Sequence, residues 1–401
     1  ISEATGVVGD LWNATPEEPD FVGTAGDDIA MGDAAANRMQ GEAGDDLLNG
    51  GDGIDTAVWA GEVYGFTFDL DGSGNLTVTD TVGNEGTDTL VATERASFAG
   101  LEKTIISGTD GNDTLLGRAD GELMLGHDGD DLLVGNGIAD VLIGGAGNDE
   151  LRGSGGQDII IWRVGDGQDR SIGGESRRDT FHVIGDETAE TYGIYTKFEA
   201  EQAGFTGFHR NTQIVVTRNG EVVSELQGIE ELVIDGMGGG DTFEVFGDFR
   251  DTSLAYNTIT LNGGNGNDTV NIDGLSSQHR VVFTGNGGSD SLIGDLRAQD
   301  TFVFENGESV SGHDLVRGDD FRISGSDGAH EAAMSTSLVA GAWSDGSPDL
   351  GAMEFPAELG LAPAGDGFEI FGEQIMLMPD VESLRLAEDP FATGLPMEGF
   401  A

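Results

Sequence analysis

From Gly108 to Ile161 the chain carries an acid at Asp113, Glu122, Asp131, Asp140, Asp149 and Asp158, each nine residues after the last. With the acid at position six, the stretch follows the template G-G-x-G-x-D-x-U-x, where U is a large apolar residue. An earlier block, Gly23 to Val58, repeats it as GTAGDDIAM, GDAAANRMQ, GEAGDDLLN and GGDGIDTAV, with Asp28, Asn37, Asp46 and Asp55 at the sixth position. A period this strict dictates a repeat architecture in which each unit buries its apolar residue only against its neighbours. A six-residue turn, opened by glycine where φ must be positive or backbones approach closely, alternates with a three-residue strand. Two nonapeptides then make one coil of eighteen residues with a strand on each side. Leu115, Met124, Leu133, Leu142, Leu151 and Ile160 point inward. Asp113, Asp131 and Asp149 stack along one edge, and Glu122, Asp140 and Asp158 along the other.

Such columns do not close unaided. Stacked coils lie about 4.8 Å apart, and two carboxylates at that distance repel by about 3 kcal/mol at an effective dielectric near 20. The whole chain has the same difficulty: 74 acids against 18 bases leave a net charge of −56 over 401 residues, and self-repulsion at that charge opposes any compact state. With 37% hydrophobic residues in short strand-like runs, disorder does not fit the composition. Bound cations do. Calcium suits a site of carboxylates and backbone carbonyls, whereas magnesium demands a tighter octahedron and zinc prefers nitrogen and sulfur. A merely solvated acidic face would not hold its acids at one phase of a nine-residue period. The metal candidates are therefore Asp28, Asp46, Asp55, Asp113, Glu122, Asp131, Asp140, Asp149 and Asp158, with several calcium ions expected. GMGGGDTFE, GGNGNDTVN and GNGGSDSLI add Asp241, Asp268 and Asp290, isolated repeats with no neighbour in sequence to complete a site.

These blocks resemble the haemolysin-type calcium-binding repeats, the repeats-in-toxin (RTX) family, whose fold is a parallel β-roll. Asn37 in place of an acid, GDAAANRMQ without its inner glycine, and Glu122 with its glycine displaced by one depart from the pattern and weaken those sites. The resemblance implies a protein of a Gram-negative bacterium, secreted to the exterior or the cell surface by type I export, that folds on meeting extracellular calcium. It also makes the tail ESLRLAEDPFATGLPMEGFA a candidate uncleaved secretion signal, against the alternative of an ordinary frayed terminus. GFTFDLDGSGNLTVTDTVGNEGTDTLVATERASFAGLE resembles the β insert that separates such blocks. The stretch from TYGIYTKFEAEQAG through HRVVFTGNGGSDSLIGDLRAQDTF resembles the C-terminal regions of large bacterial secreted proteins with animal-type haem peroxidase domains. A peroxidase-like domain would then precede Ile1.

The expected architecture is all-β: an N-terminal linker at 1–22, β-roll blocks at 23–60 and 108–172, a β-hairpin insert at 61–107, an irregular β-solenoid or sandwich-like part at 173–330, and a cap at 331–401. Only TKFEAEQAG and EAAMSTSLVAGAW suggest helix. The N-terminus is no classical signal peptide and lacks an initiator Met, so the chain reads as a fragment or processed product.

Other chemistry finds little footing. A polyanion repels nucleic acid and anionic membranes, and no run is long enough to insert in a bilayer. The absence of cysteine excludes disulfides and thiolate metal sites. His127, His182, His209, His279, His313 and His330 form no His-Glu-x-x-His pattern, and neither a nucleophile elbow nor a phosphate loop appears. DLDGSGNLTVTD places Asp69, Asp71, Ser73, Asn75 and Asp80 near calcium-loop spacing, but its flanks are strands, so it is either a further calcium site or a plain hairpin turn. The region is expected to be non-catalytic. Besides calcium, its candidate partners are the secretion machinery, cell-surface or matrix components, and copies of itself. A structural module of an adhesin, surface layer or filament is the competing function.

Overall fold

The computed structural model describes residues 11–13, 20–118, 120–174, 178–255, 258–288 and 290–294, together with the strands Thr301–Val303, Ser309–Val310, Glu331–Ala332, Gly367–Phe371 and Gln374–Met378. Apart from these last strands, the expected cap at 331–401, its candidate signal and its candidate helix lie outside the described residues.

The protein is all-β, and its nonapeptide stretches form a parallel β-roll. Leu115 stands beside Leu133, and Leu133 beside Leu151; on the opposite side Met124 stands beside Leu142, and Leu142 beside Ile160. Each step is eighteen residues, so two nonapeptides make one coil. Met124, Leu133, Leu142, Leu151 and Ile160 are fully buried, as are Ala30, Met39, Leu48 and Ala57 at the eighth positions of the first block. One buried side chain per nine residues fills the thin space between the two walls, large in the second block and as small as alanine at Ala30 and Ala57. In one wall the neighbouring residues Leu123, Leu125, Val141 and Ile143 are buried too, so that wall reads as a near-continuous apolar run covered on both faces.

The chain divides into two compact units, one from Ile1–Gly185, Tyr195–Ile234 and Phe249–Ala255, the other from Asp186–Ile194, Asp235–Asp248 and Tyr256–Ala401. In the first unit the roll begins before Gly23, since Leu11–Asn13 pairs with Ile29–Met31 and Asp20–Val22 with Arg38–Gln40. An antiparallel hairpin, Phe66–Leu70 with Leu76–Asp80, interrupts it. The chain then rejoins the roll: Thr87–Val91 lies parallel to Leu47–Asn49, and Arg95–Phe98 parallel to Thr56–Trp59. Leu101–Ser107 turns back antiparallel to Arg95–Phe98 and starts the second block by pairing in parallel with Glu122–Leu125. The strands of the second block therefore run opposite to those of the first. The Arg163 guanidinium ties hairpin to block, donating to the carbonyls of Tyr64 and Phe66 at 2.9 and 2.6 Å. The helix expected in TKFEAEQAG is Lys197–Gln202, where the Thr196 hydroxyl accepts from the Glu199 amide.

In the second unit Ile259–Gly266 pairs in parallel with Val281–Gly288, and Thr242–Phe246 with Thr269–Asn271, which pairs with Ser291–Ile293. Its coils are longer than eighteen residues, with Phe243, Val270 and Phe283 buried between the walls.

Candidate metal sites

Beyond the first acid of each column, the sixth-position acids reach back one coil. The Oδ1 of each accepts the backbone N–H of the acid before it in the same column: Asp131 from Asp113 at 2.7 Å, Asp149 from Asp131 at 2.8 Å, Asp140 from Glu122 at 2.7 Å and Asp158 from Asp140 at 2.8 Å. In the first block Asp46 accepts from Asp28 at 2.6 Å and Asp55 from Asn37 at 2.7 Å. The two edge columns expected from the spacing are present, and Asn37, where an acid is missing, still holds its place in one of them.

Asp241, Asp268 and Asp290 are not isolated in space. Within the second unit Asp241 accepts from the Glu190 amide at 2.8 Å, Asp268 from Asp241 at 2.7 Å and Asp290 from Asp268 at 2.7 Å. These acids are 27 and 22 residues apart in sequence, yet they stack as the nonapeptide acids do. Extra residues go into the turns, while the bond from carboxylate to preceding amide keeps the acids aligned.

The columns also contain residues outside the nine-residue register of the two blocks. Asp88 accepts from the Asp46 amide at 3.1 Å and Glu94 from Asp55 at 3.0 Å. Asp169 accepts from Asp149 at 2.9 Å, Asp179 from Asp158 at 3.0 Å, and Glu230 from Asp179 at 3.0 Å. Asp88 carries a local signal: Gly83 to Val91 reads GNEGTDTLV, which fits the template at every position but the second. GESRRDTFH around Asp179 keeps its first glycine, its acid and its apolar Phe181, and ELQGIEELV around Glu230 keeps its inner glycine, an acid and Leu232, whereas TLVATERAS around Glu94 has no glycine.

The second carboxylate oxygen carries the chemical information. Oδ2 of Asp46, Asp55, Asp131, Asp149, Asp158, Asp169, Asp241 and Asp268, and Oε2 of Glu122, are buried with no hydrogen-bond partner among the described residues. A buried acceptor left without a donor costs about 1–3 kcal/mol, and more when charged. Recurring along the columns, these oxygens face the turn glycines, while Asp140 Oδ2 accepts the Asn136 amide at 3.1 Å. A Cβ placed on Gly126 would lie 2.3 Å from Asp131 Oδ2 and 2.3 Å from the Gly144 carbonyl oxygen of the next coil. Gly135 stands in the same way between Asp140 Oδ2 at 2.3 Å and the Gly153 carbonyl at 2.6 Å. The first glycine of each repeat thus leaves room where a carboxylate and a carbonyl of successive coils converge. All the donors are hard oxygens, the set that calcium takes. The second position is left-handed in part of the repeats, with glycine or without it: Gly145 has φ +89°, Glu42 70°, His127 72°, Met237 71° and Asn286 72°, whereas Thr24, Asp33, Thr109, Arg118 and Asn136 are not left-handed. Each left-handed non-glycine costs roughly 1 kcal/mol or more.

Electrostatics agree with the geometry. Burial, reinforced by the neighbouring acids, pushes Asp149 and Asp158 up to about 7, Asp241 to about 7, Asp268 to about 6 and Asp169 to about 9. Asp46, Asp55, Glu122 and Asp131 move the same way for the same first reason. The ion pairs of Arg38 and Arg95 with Glu102, and of Arg152 and Arg170 with Glu150, lie on the outer faces and leave these columns alone. Asp28 and Asp113, at the column ends, meet their own turns instead: the amide of Thr24 donates to Asp28 Oδ2 at 2.6 Å, and that of Thr109 to Asp113 Oδ2 at 2.7 Å.

DLDGSGNLTVTD is a hairpin turn. Asp71 accepts from the amides of Ser73 and Asn75 at 2.7 and 2.9 Å and from Asn75 Nδ2 at 2.9 Å, while Asp80 binds the amides of Val82, Gly83 and Glu85. Local donors satisfy these carboxylates, unlike the donorless Oδ2 atoms of Asp46, Asp55, Asp131, Asp149 and Asp158. Among the described residues no cluster of three His, Cys, Asp or Glu forms a compact metal site. The column geometry instead spreads each oxygen set over two coils and includes backbone carbonyls. No helix of the described residues is long and apolar enough to cross a membrane.

Comparison with known proteins places the motif. The RTX calcium-binding nonapeptide repeat (4 copies) matches residues 22–57, 100–133, 134–161 and 260–271. No curated protein matches the chain. Among solved structures, the extracellular lipase LipA from Serratia marcescens is similar at 20% identity and a TM-score of 0.24, over 51% of this chain and 37% of the lipase. The chain thus spans well under half the length of that lipase.

Proposed function

We propose that this chain, which carries RTX calcium-binding nonapeptide repeats, is a calcium-dependent folding region of a secreted protein. Calcium would be held between successive coils by the Oδ2 atoms of Asp46, Asp55, Asp131, Asp149 and Asp158, with Asp28, Asp113, Glu122 and Asp140 completing the nonapeptide columns. Asp241, Asp268 and Asp290 would form a further column. When bound, the ion supplies positive charge and replaces the missing hydrogen-bond donors. The observation that carries this reading is the set of buried carboxylate oxygens without donors that recurs along the columns.

The physiological sense is conditional folding. At low calcium the columns repel, and the chain stays extended enough for one-step export. Outside the cell each site adds RT ln(1 + [Ca]/Kd), about 2.7 kcal/mol at a hundred times Kd. Type I export from a Gram-negative cell, and attachment to a peroxidase-like domain, rest only on the sequence resemblances given above. The region's own residues bind and fold; no catalytic step is assigned to them.

Circular dichroism and sedimentation test the proposal together. In chelator at pH 8 the strand signal should fall well below its calcium-loaded level and the hydrodynamic radius should rise, with only part of the coils still formed. Millimolar calcium should produce strand signal and a compact monomer. Identical spectra in both conditions would refute calcium-dependent folding. Calcium-driven growth of the sedimenting species beyond a monomer would favour the adhesin, surface-layer or filament module instead.

A further inference from the structure

The chain has two lysines, Lys103 and Lys197; its other basic residues are arginines. Lys103 is buried, with 7% of its surface exposed, and a buried ammonium is costly unless charges or acceptors surround it. Its setting supplies both. Leu101–Ser107 pairs with Glu122–Leu125 so that Thr104 stands beside Glu122. One coil before Glu122, the sixth position therefore holds a threonine, which offers no carboxylate, and the fifth holds Lys103. The Lys103 side chain runs along the column past Gly121 and donates from Nζ to the carbonyl of Ala139, two coils on. A Cβ on Gly121 would lie 3.2 Å from Nζ and 2.8 Å from that carbonyl oxygen, so the glycine clears the path. The charges facing the ammonium are those of Asp140, Asp158 and Glu122. The ammonium thus bridges the coils of Gly121 and Ala139 at the head of a carboxylate column.

We propose that Lys103 is a resident cation of the Glu122–Asp140–Asp158 column, holding its first coils together before any divalent ion arrives. The inference rests on the calcium reading above and refines it: the two columns of the second block are not equivalent. The column headed by Asp113 starts from a half-exposed acid bonded to its own turn. The column headed by Glu122 starts from a fixed positive charge. Folding of the second block would then begin at the Lys103 end, and calcium would complete it.

Amide hydrogen exchange on the full chain, in chelator and in millimolar calcium, tests this. In chelator the amides of Glu122 and Asp140 in the wild-type protein should be protected at least tenfold over those of Asp113 and Asp131. Lys103→Met should erase that difference and raise the calcium midpoint for folding by about twofold, a modest shift because several ions share one transition. Lys103→Arg should keep both properties, and Lys197→Met, which removes an equal charge elsewhere, should change neither. A Lys103→Met protein that stays unfolded in saturating calcium while Lys103→Arg folds would also support the proposal. Equal protection of the two columns in wild type, an unchanged Lys103→Met protein, or an equal effect of Lys197→Met would overturn it. Calcium reading and lysine inference fail differently: if calcium leaves the Asp131 and Asp149 amides unchanged, the former fails whatever Lys103 does.

Discussion

Gly126→Ala should disrupt the second block, destabilising the calcium-loaded protein by about 3 kcal/mol or more. The new Cβ would stand 2.3 Å from both Asp131 Oδ2 and the Gly144 carbonyl oxygen. Neither can retreat freely. Asp131 is held through its other oxygen by the Asp113 amide at 2.7 Å, and the Gly144 carbonyl belongs to the next coil. The methyl group would also fill the space beside the oxygens proposed to bind calcium, so the calcium midpoint should rise together with the loss of stability. Gly137→Ala is the matched control. That glycine is exposed, has nothing within 4 Å of its would-be Cβ and needs no positive φ, so alanine should be neutral or slightly stabilising. Thermal melts of the two variants in millimolar calcium decide the matter: if they melt alike, the turn glycines are not there to make room.

Asp149→Asn should change the sign of its effect with calcium. In chelator at pH 8 the substitution should stabilise, because it removes a charge buried beside Asp131 while the amide oxygen can still accept the Asp131 N–H, now 2.8 Å from Oδ1. Asn37 shows that a column tolerates the amide: its Oδ1 accepts the Asp33 amide at 2.9 Å. In calcium the same substitution should destabilise, since a ligand charge is lost. Each effect should be about 1–3 kcal/mol. The pH dependence follows with a definite sign. The Asp149 carboxyl titrates near 3.9 in an unfolded chain but is pushed up to about 7 in the fold. Between those values the folded state binds the extra proton. Calcium-free stability is therefore greatest in acid, falls as pH rises from about 4 through 7, and stays low above. With calcium the slope reverses, because protons compete for the same oxygens. Chemical denaturation at pH 5 and pH 8, with and without calcium, should show Asp149→Asn flattening both slopes. A variant less stable than wild type in chelator at pH 8 would contradict this.

Much of this arrangement could be read from the residues. The nine-residue phase of Asp131, Asp140, Asp149 and Asp158 gives the coil period, and the period gives both the columns and the inward set from Met124 to Ile160. What escaped is what obeys the hydrogen bond instead of the period. Asp169 and Asp179 follow their column neighbours by 20 and 21 residues, and Asp268 follows Asp241 by 27. In each case a carboxylate still meets the amide of the coil before, while the turn absorbs the difference in length. Sequence spacing reports coil length and is silent about that alignment. The hairpin posed a different problem. Its alternating residues announce antiparallel strands; GNEGTDTLV marks the return to the roll at Asp88, but no local pattern announces Glu94. Trp59 marks the return in space: its indole N–H donates to Asp88 Oδ2 at 2.7 Å, giving that acid the donor that its column neighbour Asp46 lacks. That contact joins residues 29 apart, which no short-range pattern reveals.

The most direct test is a crystal of the protein grown in calcium, with an anomalous difference map phased on the refined coils. Peaks should appear between successive coils, within about 2.3–2.6 Å of the second carboxylate oxygens of Asp131, Asp149 and Asp158. Well-ordered coils with no peak there, and with protein donors or water satisfying those oxygens, would show that the columns stand without the ion.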